Sequence, residues 1–434
     1  MRKFISAAAV FSALLFFSAC SLQKKIAKEA GRDILNNPDF RSAHIGITLY
    51  DPASGQYLYD HQGDKFFVPA SNTKLFTCYA VMKNLGDSLL SIRYIENGNG
   101  SVTVYPNGDP SFLHPDFSSQ RVFDFLKKHR SVMIGTESWR ENALGFGWAW
   151  DDYNSDYMAE RSLMPIYGNL VRFTHNTATR AIPSYFQNSL SDSGWNGKES
   201  FSIRREPASN SFYRRASNSR FATTDIPIYT RDPQLLVSLL ADTLHTRVGL
   251  AGSTGDRQAA VKMYSQPTDS LLKIMMHRSD NFFAEQTLLM VSNEKLGFMS
   301  DARIIDTLLK TDFVGLPQKP KWVDGSGLSR YNLISPQDFV WVLTQMKNEF
   351  RWERISTILA TGGEGTISSY YKNYSGRIYA KTGSLSNHLA LSGYITTKKG
   401  RQLIFSVLVN AELAPPANIR KGVEKFLTAV MDGN

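Results

Sequence analysis

The chain has 434 residues, 42% hydrophobic and 20% charged, with 49 basic against 39 acidic side chains and a net charge of +10. That length suits two or three domains, or one large domain with insertions, and the apolar content excludes both a disordered chain and a disulfide-held miniature fold. The basic excess is spread without a run of like charges; this fits an anionic surface such as a membrane or wall, and no motif supports nucleic-acid binding.

Met1-Arg2-Lys3 is a basic start, residues 4–17 are apolar, and Ser18-Ala19-Cys20 closes the run with small residues. This is the pattern of a secretory signal peptide over residues 1–19, too short for a comfortable membrane span. A cysteine directly after small residues resembles the bacterial lipoprotein signal, although Phe17 stands where Leu is usual. The resemblance implies cleavage before Cys20 and a lipid on its thiol; ordinary secretion is the alternative. Ser21, rather than an Asp, follows the cysteine, which points to a periplasmic protein held at the outer membrane. Removing Arg2 and Lys3 with the leader lowers the charge to +8. Lipidation would leave Cys78, the second of two cysteines, without an intrachain disulfide partner.

Residues 23–35 read as a short polar helix leading away from this anchor. Residues 46–50 and 56–59 alternate like strands around the turn Asp51-Pro52-Ala53-Ser54-Gly55, so a hairpin is expected. From Ser71, Leu75, Cys78, Tyr79 and Met82 recur at the spacing of an amphipathic helix that Gly86 ends. Between about 90 and 257 apolar residues thin out and turn residues cluster, as in Asn97-Gly98-Asn99-Gly100 and Asn107-Gly108-Asp109-Pro110. This stretch reads as inserted, mainly β material. Beyond it, residues 271–290 are helical apart from Arg278-Ser279-Asp280-Asn281, and Ser335 with Pro336 starts another helix. Residues 377–382, 389–396 and 402–409 read as strands and 419–431 as a closing helix, which together suggest an antiparallel sheet covered by helices.

Three short motifs occur in one order: Ser71-Asn72-Thr73-Lys74, Ser279-Asp280-Asn281 and Lys381-Thr382-Gly383. Serine β-lactamases and penicillin-binding proteins use this set. Each is weak alone: Ser-x-x-Lys recurs at Ser21, Ser270, Ser292 and Ser369, and a helix-capping serine with a solvated lysine is the commoner meaning of the tetrad. Only Ser71 has the setting of strand, turn and helix start. A serine hydroxyl is a poor nucleophile until a base takes its proton, and Lys74 lies one helical turn on, on the same face. Ser71 at a helix N-terminus also offers its own N–H to a developing oxyanion. Ser279 is placed to relay a proton between Lys74 and a leaving amine, and Asn281 to hold a substrate amide and the Lys74 amine. Asp280, between them, is expected to point to a structural partner. A strand along the cleft lets substrate bind by strand addition. Lys381 and Thr382 would then bind a terminal carboxylate, Gly383 would let the substrate backbone approach, and the Ser384 N–H would be the second oxyanion donor.

Longer stretches resemble one family, the class C low-molecular-mass penicillin-binding proteins, which are D-alanyl-D-alanine carboxypeptidases and endopeptidases of bacterial cell walls. The residues that carry the resemblance are Asp324-Gly325-Ser326-Gly327-Leu328-Ser329-Arg330, Gly363-Glu364-Gly365-Thr366-Ile367, Leu391-Ser392-Gly393-Tyr394, Asn107-Gly108-Asp109-Pro110-Ser111 and Gly147-Trp148-Ala149-Trp150-Asp151-Asp152. It implies an α+β, β-lactamase-like transpeptidase fold with two nested, mainly β inserted domains. The catalytic domain would occupy residues 20–89 and 258–434, the outer insert 90–171 and 226–257, and the inner insert 172–225. The 208 positions between Ser71 and Ser279, far more than a β-lactamase needs, agree with that reading. The resemblance also implies that Lys381 and partial burial depress the Lys74 pKa, and that β-lactam antibiotics acylate Ser71. Peptidoglycan peptides are the implied substrates, with no metal or nucleotide cofactor; His277 and His388 show no ligand spacing. Trp150 or Asp152 is a candidate contact for a peptide amino group, with packing and turn roles as alternatives. A β-lactamase or esterase on the same fold, and a wall-binding lipoprotein without activity, are the competing readings. The sequence leaves the oligomeric state open.

Overall fold

The structure is a computed structural model that describes residues 22–176, 178–192, 202–215, 222–252 and 259–433. The expected signal peptide and Cys20 lie outside the described residues.

The N-terminal helical segment, residues 22–35, is not a free polar spacer. Its Ile26, Ala30 and Ile34 form a buried stripe, four residues apart, packed into the same core as the C-terminal helix Pro416–Gly433. Lys25 Nζ also donates to the Gly433 carbonyl at 2.7 Å. The hairpin follows as β1 (His44–Asp51) and β2 (Gln56–His61). The next helix, Lys74–Asn84, is buried on every side from Lys74 to Met82, so it is a core helix rather than the amphipathic one its spacing suggested.

The insert opens with β3 (Ser88–Glu96), β4 (Ser101–Pro106) and β5 (Ser131–Ile134). Nested inside are β6 (Leu170–His175), β7 (Thr179–Ile182), β8 (Leu190–Asp192), β9 (Ser202–Arg205), β10 (Phe212–Arg215) and β11 (Ala222–Pro227). They form two small sheets, ordered β11-β6-β7 and β8-β10-β9. The chain then completes the outer sheet with β12 (Arg247–Leu250) and β13 (Val261–Pro267), in the order β12-β5-β4-β3-β13. Because β3 pairs with β13, the outer module is entered at Ser88 and left at Pro267.

The last third holds helices Thr268–Arg278, Asn281–Leu296 and Pro336–Glu349, then β14 (Ala360–Thr361), β15 (Ile378–Leu385), β16 (His388–Thr396) and β17 (Gln402–Asn410). The N-terminal hairpin joins these strands in one six-stranded sheet, ordered β14-β15-β16-β17-β1-β2. β17 shows why the sheet is sandwiched. Its Ile404 and Leu408 face one cluster with the internal helices, while Leu403, Phe405, Val407 and Val409 face a second cluster with the C-terminal helix. Both faces are covered, so the strand reads as a continuous apolar run.

The insert is joined to this core by buried charge. Arg161, 1% exposed, reaches Asp301 at 2.6 Å, Glu285 at 3.2 Å and Glu141 at 3.3 Å. Glu141 also accepts the Asp301 N–H at 2.7 Å. Glu141 and Arg161 belong to the insert; Glu285 and Asp301 belong to the catalytic half. Burial, with Asp324 adding to it, pushes the Glu285 carboxyl up to about 8. Removing Arg161 from such a cluster leaves buried acids without their ion-pair partner. Arg161→Ala is therefore expected to lower global stability by about 3–5 kcal/mol in a denaturant titration, well beyond the loss for an exposed arginine such as Arg32.

Candidate active site

The turn that carries Ser71 is held by close backbone contact. Ala70 has φ +49°, and the 3₁₀ turn Ala70–Thr73 leads directly into the helix from Lys74. Gly327, at φ +82°, lies against this turn; a Cβ there would sit 1.8 Å from the Ala70 carbonyl oxygen. A non-glycine residue in the left-handed region costs about 1–2 kcal/mol, which the surrounding packing must offset. Ser71 thus sits in the first turn, where N–H groups have no intrahelical acceptor.

Lys74 is fully buried. Its Nζ lies 2.9 Å from Ser71 Oγ, 2.6 Å from Asn281 Oδ1 and 2.7 Å from the Ser326 carbonyl oxygen. The last two atoms can only accept. The orientation of the Asn281 amide is fixed because its Nδ2 donates to the Tyr157 carbonyl at 2.8 Å. A neutral amine has two hydrogens and one lone pair. Two obligate acceptors take both hydrogens, and the lone pair faces the Ser71 hydroxyl. Burial lowers the Lys74 pKa to about 8, against the opposing pull of Asp324, Glu285 and Asp280. The main cause is desolvation, the burial part of the expectation. Lys381 is in turn held well below its usual range by its own burial and then by the neighbouring Lys74.

Ser279 breaks the predicted helix in two. It adopts φ +62° as the end of Thr268–Arg278, and Asp280 caps Asn281–Leu296 by accepting the Phe283 N–H at 2.9 Å. That is the structural partner expected of Asp280. Lys381 Nζ, also fully buried, donates to Ser279 Oγ at 2.8 Å and to the Thr382 carbonyl at 2.7 Å. The Thr382 hydroxyl donates to Thr366 Oγ1 at 2.8 Å. Gly383 has an internal packing reason. A Cβ there would lie 2.5 Å from the Pro69 carbonyl oxygen and 3.1 Å from the Asn72 nitrogen, so the glycine lets β15 close on the Ser71 turn. β14 pairs only with Tyr379 and Ala380, so the outer edge of β15 from Lys381 onward is free of a strand partner among the described residues.

One cleft is lined by Ser71, Asp152, Ser279, Asn281, Leu328 and Ser384. The three motifs, spread over 310 positions from Ser71 to Lys381, therefore meet, the third through the bond from Lys381 to Ser279. Asp152 lies on the cleft wall, in a turn from Trp150 to Asn154, and its carboxylate faces the Tyr157 hydroxyl. Trp150 is 81% exposed and takes no part in that lining; Trp148 instead turns inward, donating to Asp324 Oδ2 at 3.0 Å.

Asp324 is a hub that residue spacing alone did not identify. It accepts the N–H groups of Gly327 (2.9 Å) and Ser329 (2.6 Å), and the Asn332 amide at 2.7 Å. The Ser326 N–H donates to Glu285 at 2.7 Å, and Thr77 donates to the Gly325 carbonyl at 2.6 Å. The loop is thereby fixed with the Ser326 carbonyl aimed at Lys74. The available signal was the run from Asp324 to Arg330, which carried the family resemblance without a role.

Residues 27–199 and 214–430 match the D-Ala-D-Ala carboxypeptidase 3 (S13) family. The chain is similar to D-alanyl-D-alanine carboxypeptidase DacB of Haemophilus influenzae, with 25% identity over 417 residues covering 85% of each chain. It is also 24% identical over 442 residues to a D-alanyl-D-alanine carboxypeptidase of Actinomadura sp. (strain R39), covering 88% of this chain and 80% of that one. Among solved structures, penicillin binding protein 4 (dacB) from Haemophilus influenzae superposes with a TM-score of 0.73 at 20% identity, over 94% of this chain and 99% of that one.

The lone-pair geometry ties the reactivity of Ser71 to the charge of Lys74. Below its pKa the amine is protonated and cannot accept the hydroxyl proton. The rate of Ser71 acylation by an activated ester should therefore rise with pH through about 8. In Lys74→Ala the rate should fall by about 10²–10⁴ and lose that rise, as followed by mass spectrometry of the acylated protein.

Proposed function

The chain belongs to the D-Ala-D-Ala carboxypeptidase 3 (S13) family, and from that membership we propose a serine-type D-Ala-D-Ala carboxypeptidase and endopeptidase, penicillin-binding, that acts on peptidoglycan stem peptides through an acyl-enzyme at Ser71. The observation that carries this reading is the Lys74 amine, 2.9 Å from Ser71 Oγ and held there by two further acceptors, Asn281 Oδ1 at 2.6 Å and the Ser326 carbonyl at 2.7 Å.

In the proposed reaction, Ser71 Oγ attacks the carbonyl carbon of the penultimate D-alanine while its proton passes to Lys74 Nζ. The oxyanion is held by the N–H groups of Ser71 and Ser384, and Asn281 holds the substrate amide. The carbon–nitrogen bond then breaks. Ser279 gives its proton to the leaving nitrogen and regains one from Lys74, and Lys381 orients the Ser279 hydroxyl. The D-alanine departs, water attacks the ester with Lys74 again as base, and Ser71 is regenerated. In the cross-link reaction the departing amine belongs to a diaminopimelate of a second stem peptide. Thr382 binds the terminal carboxylate, the free edge of β15 takes the peptide as an added strand, and Asp152 meets a peptide amino group. A β-lactam enters the same sequence as a mimic of acyl-D-Ala-D-Ala.

Incubation with a fluorescent penicillin should give a stable adduct, and a D-Ala-D-Ala pentapeptide should release D-alanine. Ser71→Ala should abolish both. Rapid penicillin turnover without D-alanine release would instead indicate a β-lactamase, and no labelling at all would leave a wall-binding protein without activity.

The proposed cellular setting is periplasmic. The leader over residues 1–19 is removed, and Cys20 carries a lipid that holds the protein at the outer membrane. The supporting feature is the run of small residues ending in Cys20. Metabolic labelling with a fatty-acid probe should mark the protein, and Cys20→Ser should abolish the label and release the protein into the soluble periplasmic fraction.

A further inference from the structure

Two cations were expected to serve the site, and neither is open to a ligand's charge. Lys74 and Lys381 are both fully buried. Lys381 Nζ is committed to Ser279 Oγ at 2.8 Å and to the Thr382 carbonyl at 2.7 Å. Yet the proposed substrate ends in a carboxylate, which leaves with the departing residue and needs a countercharge.

The strand itself indicates where that charge lies. Side chains alternate along β15, so Lys381 and Gly383 turn toward the Ser71 turn, while Thr382 and Ser384 share the opposite face. On that face a hollow lies between the sheet and the C-terminal helix. Its wall includes Thr366, Thr382, Ser384, Leu391, Val407 and Arg420. Ser384 also lines the catalytic cleft, so it stands on the ridge between the two spaces. Arg420, half-buried on the C-terminal helix, donates through Nη2 to Ser384 Oγ at 3.2 Å. Among the described residues no carboxylate forms an ion pair with it; Glu412 is only a longer-range acidic neighbour. The arginine that lines the cleft itself, Arg330, reaches the Ser386 carbonyl at 3.4 Å, two residues beyond Ser384 and just past the end of β15.

We infer that Arg420 is the specificity-determining cation of the site: with the hydroxyls of Thr382 and Ser384 it reads the free C-terminal carboxylate of the residue that departs. This deepens the carboxypeptidase reading and rests on it. Hydroxyls two residues apart on one strand face stand roughly 7 Å from each other, a gap that a carboxylate spans with a guanidinium behind it. An arginine suits the task because its fork holds the serine hydroxyl with one nitrogen and leaves others for the anion. The Thr382 hydroxyl, which rests on Thr366 Oγ1 at 2.8 Å without the anion, turns its hydrogen to the carboxylate when that is bound.

The test compares two acyl donors that differ at one group: an acyl-D-Ala-D-Ala with a free carboxylate and its C-terminal amide. The unsubstituted enzyme should prefer the free acid. In Arg420→Gln the ratio of kcat/KM for acid over amide should fall roughly 10- to 100-fold, the scale of a charge-assisted hydrogen bond to an anion, with most of the loss in KM. Arg420→Lys should recover part of the ratio. An equal loss on both donors would overturn the proposal, because a purely structural arginine would affect both alike. An unchanged ratio would overturn it too. If Arg420→Gln lowered the melting temperature sharply, Ser384→Ala, which removes the bridging hydroxyl and leaves the helix intact, should shift the ratio in the same direction; no shift would overturn the proposal. Failure of the unsubstituted enzyme to release D-alanine is a separate outcome, and it would remove the carboxypeptidase reading itself.

Discussion

Everything at the site depends on placing two lysine amines out of water. Burying a charge is expensive unless it is paired and hydrogen-bonded, and the usual escape is to lose the proton. The fold does not offer Lys74 a salt bridge at contact distance. It offers two neutral acceptors, the Asn281 side chain and the Ser326 carbonyl, and holds the acidic groups Asp324, Glu285 and Asp280 further off. A close carboxylate would have locked the amine as a cation. The looser arrangement leaves it able to be neutral or charged at a modest cost in either direction, which a proton-transferring group needs.

That balance sets requirements far from Ser71. The Ser326 carbonyl is useful only if its loop is rigid, and the loop is rigid because Asp324 gathers its N–H groups and Trp148 reaches in from the insert. Gly327 and Gly383 serve the same end from two sides. Each lets backbone approach the turn at residues 69–72 more closely than any side chain would permit. Ser71 thus stands on a short strained turn clamped between a loop and a strand, rather than on a freely standing helix end.

Much of this was legible in the residues. The three motifs lie on elements of the expected kinds, and the apolar run of β17 announced a strand covered on both faces. The missing parts share a physical cause: they depend on contacts between segments distant in the chain. The hairpin of β1 and β2 joins a sheet whose other strands begin more than three hundred residues later, and periodicity carries no information about such pairing. The stripe of Ile26, Ala30 and Ile34 was hidden among lysines and a glutamate, so its docking face was read as polar. The pairing of β3 with β13 is equally hidden, because turn composition marks only where the chain loosens. Thr366 and Arg420 acquire meaning only when the C-terminal helix is laid against β15.

The buried cluster around Arg161 has a consequence for the lineage of such chains. Glu285 belongs to a helix that also supplies the Asn281 ligand of Lys74, and it shares its arginine with Asp301. A descendant that shed the inserted module would strand both acids at once. Removing the insert would therefore also call for neutral or apolar residues at 285 and 301, or for both acids to stay protonated.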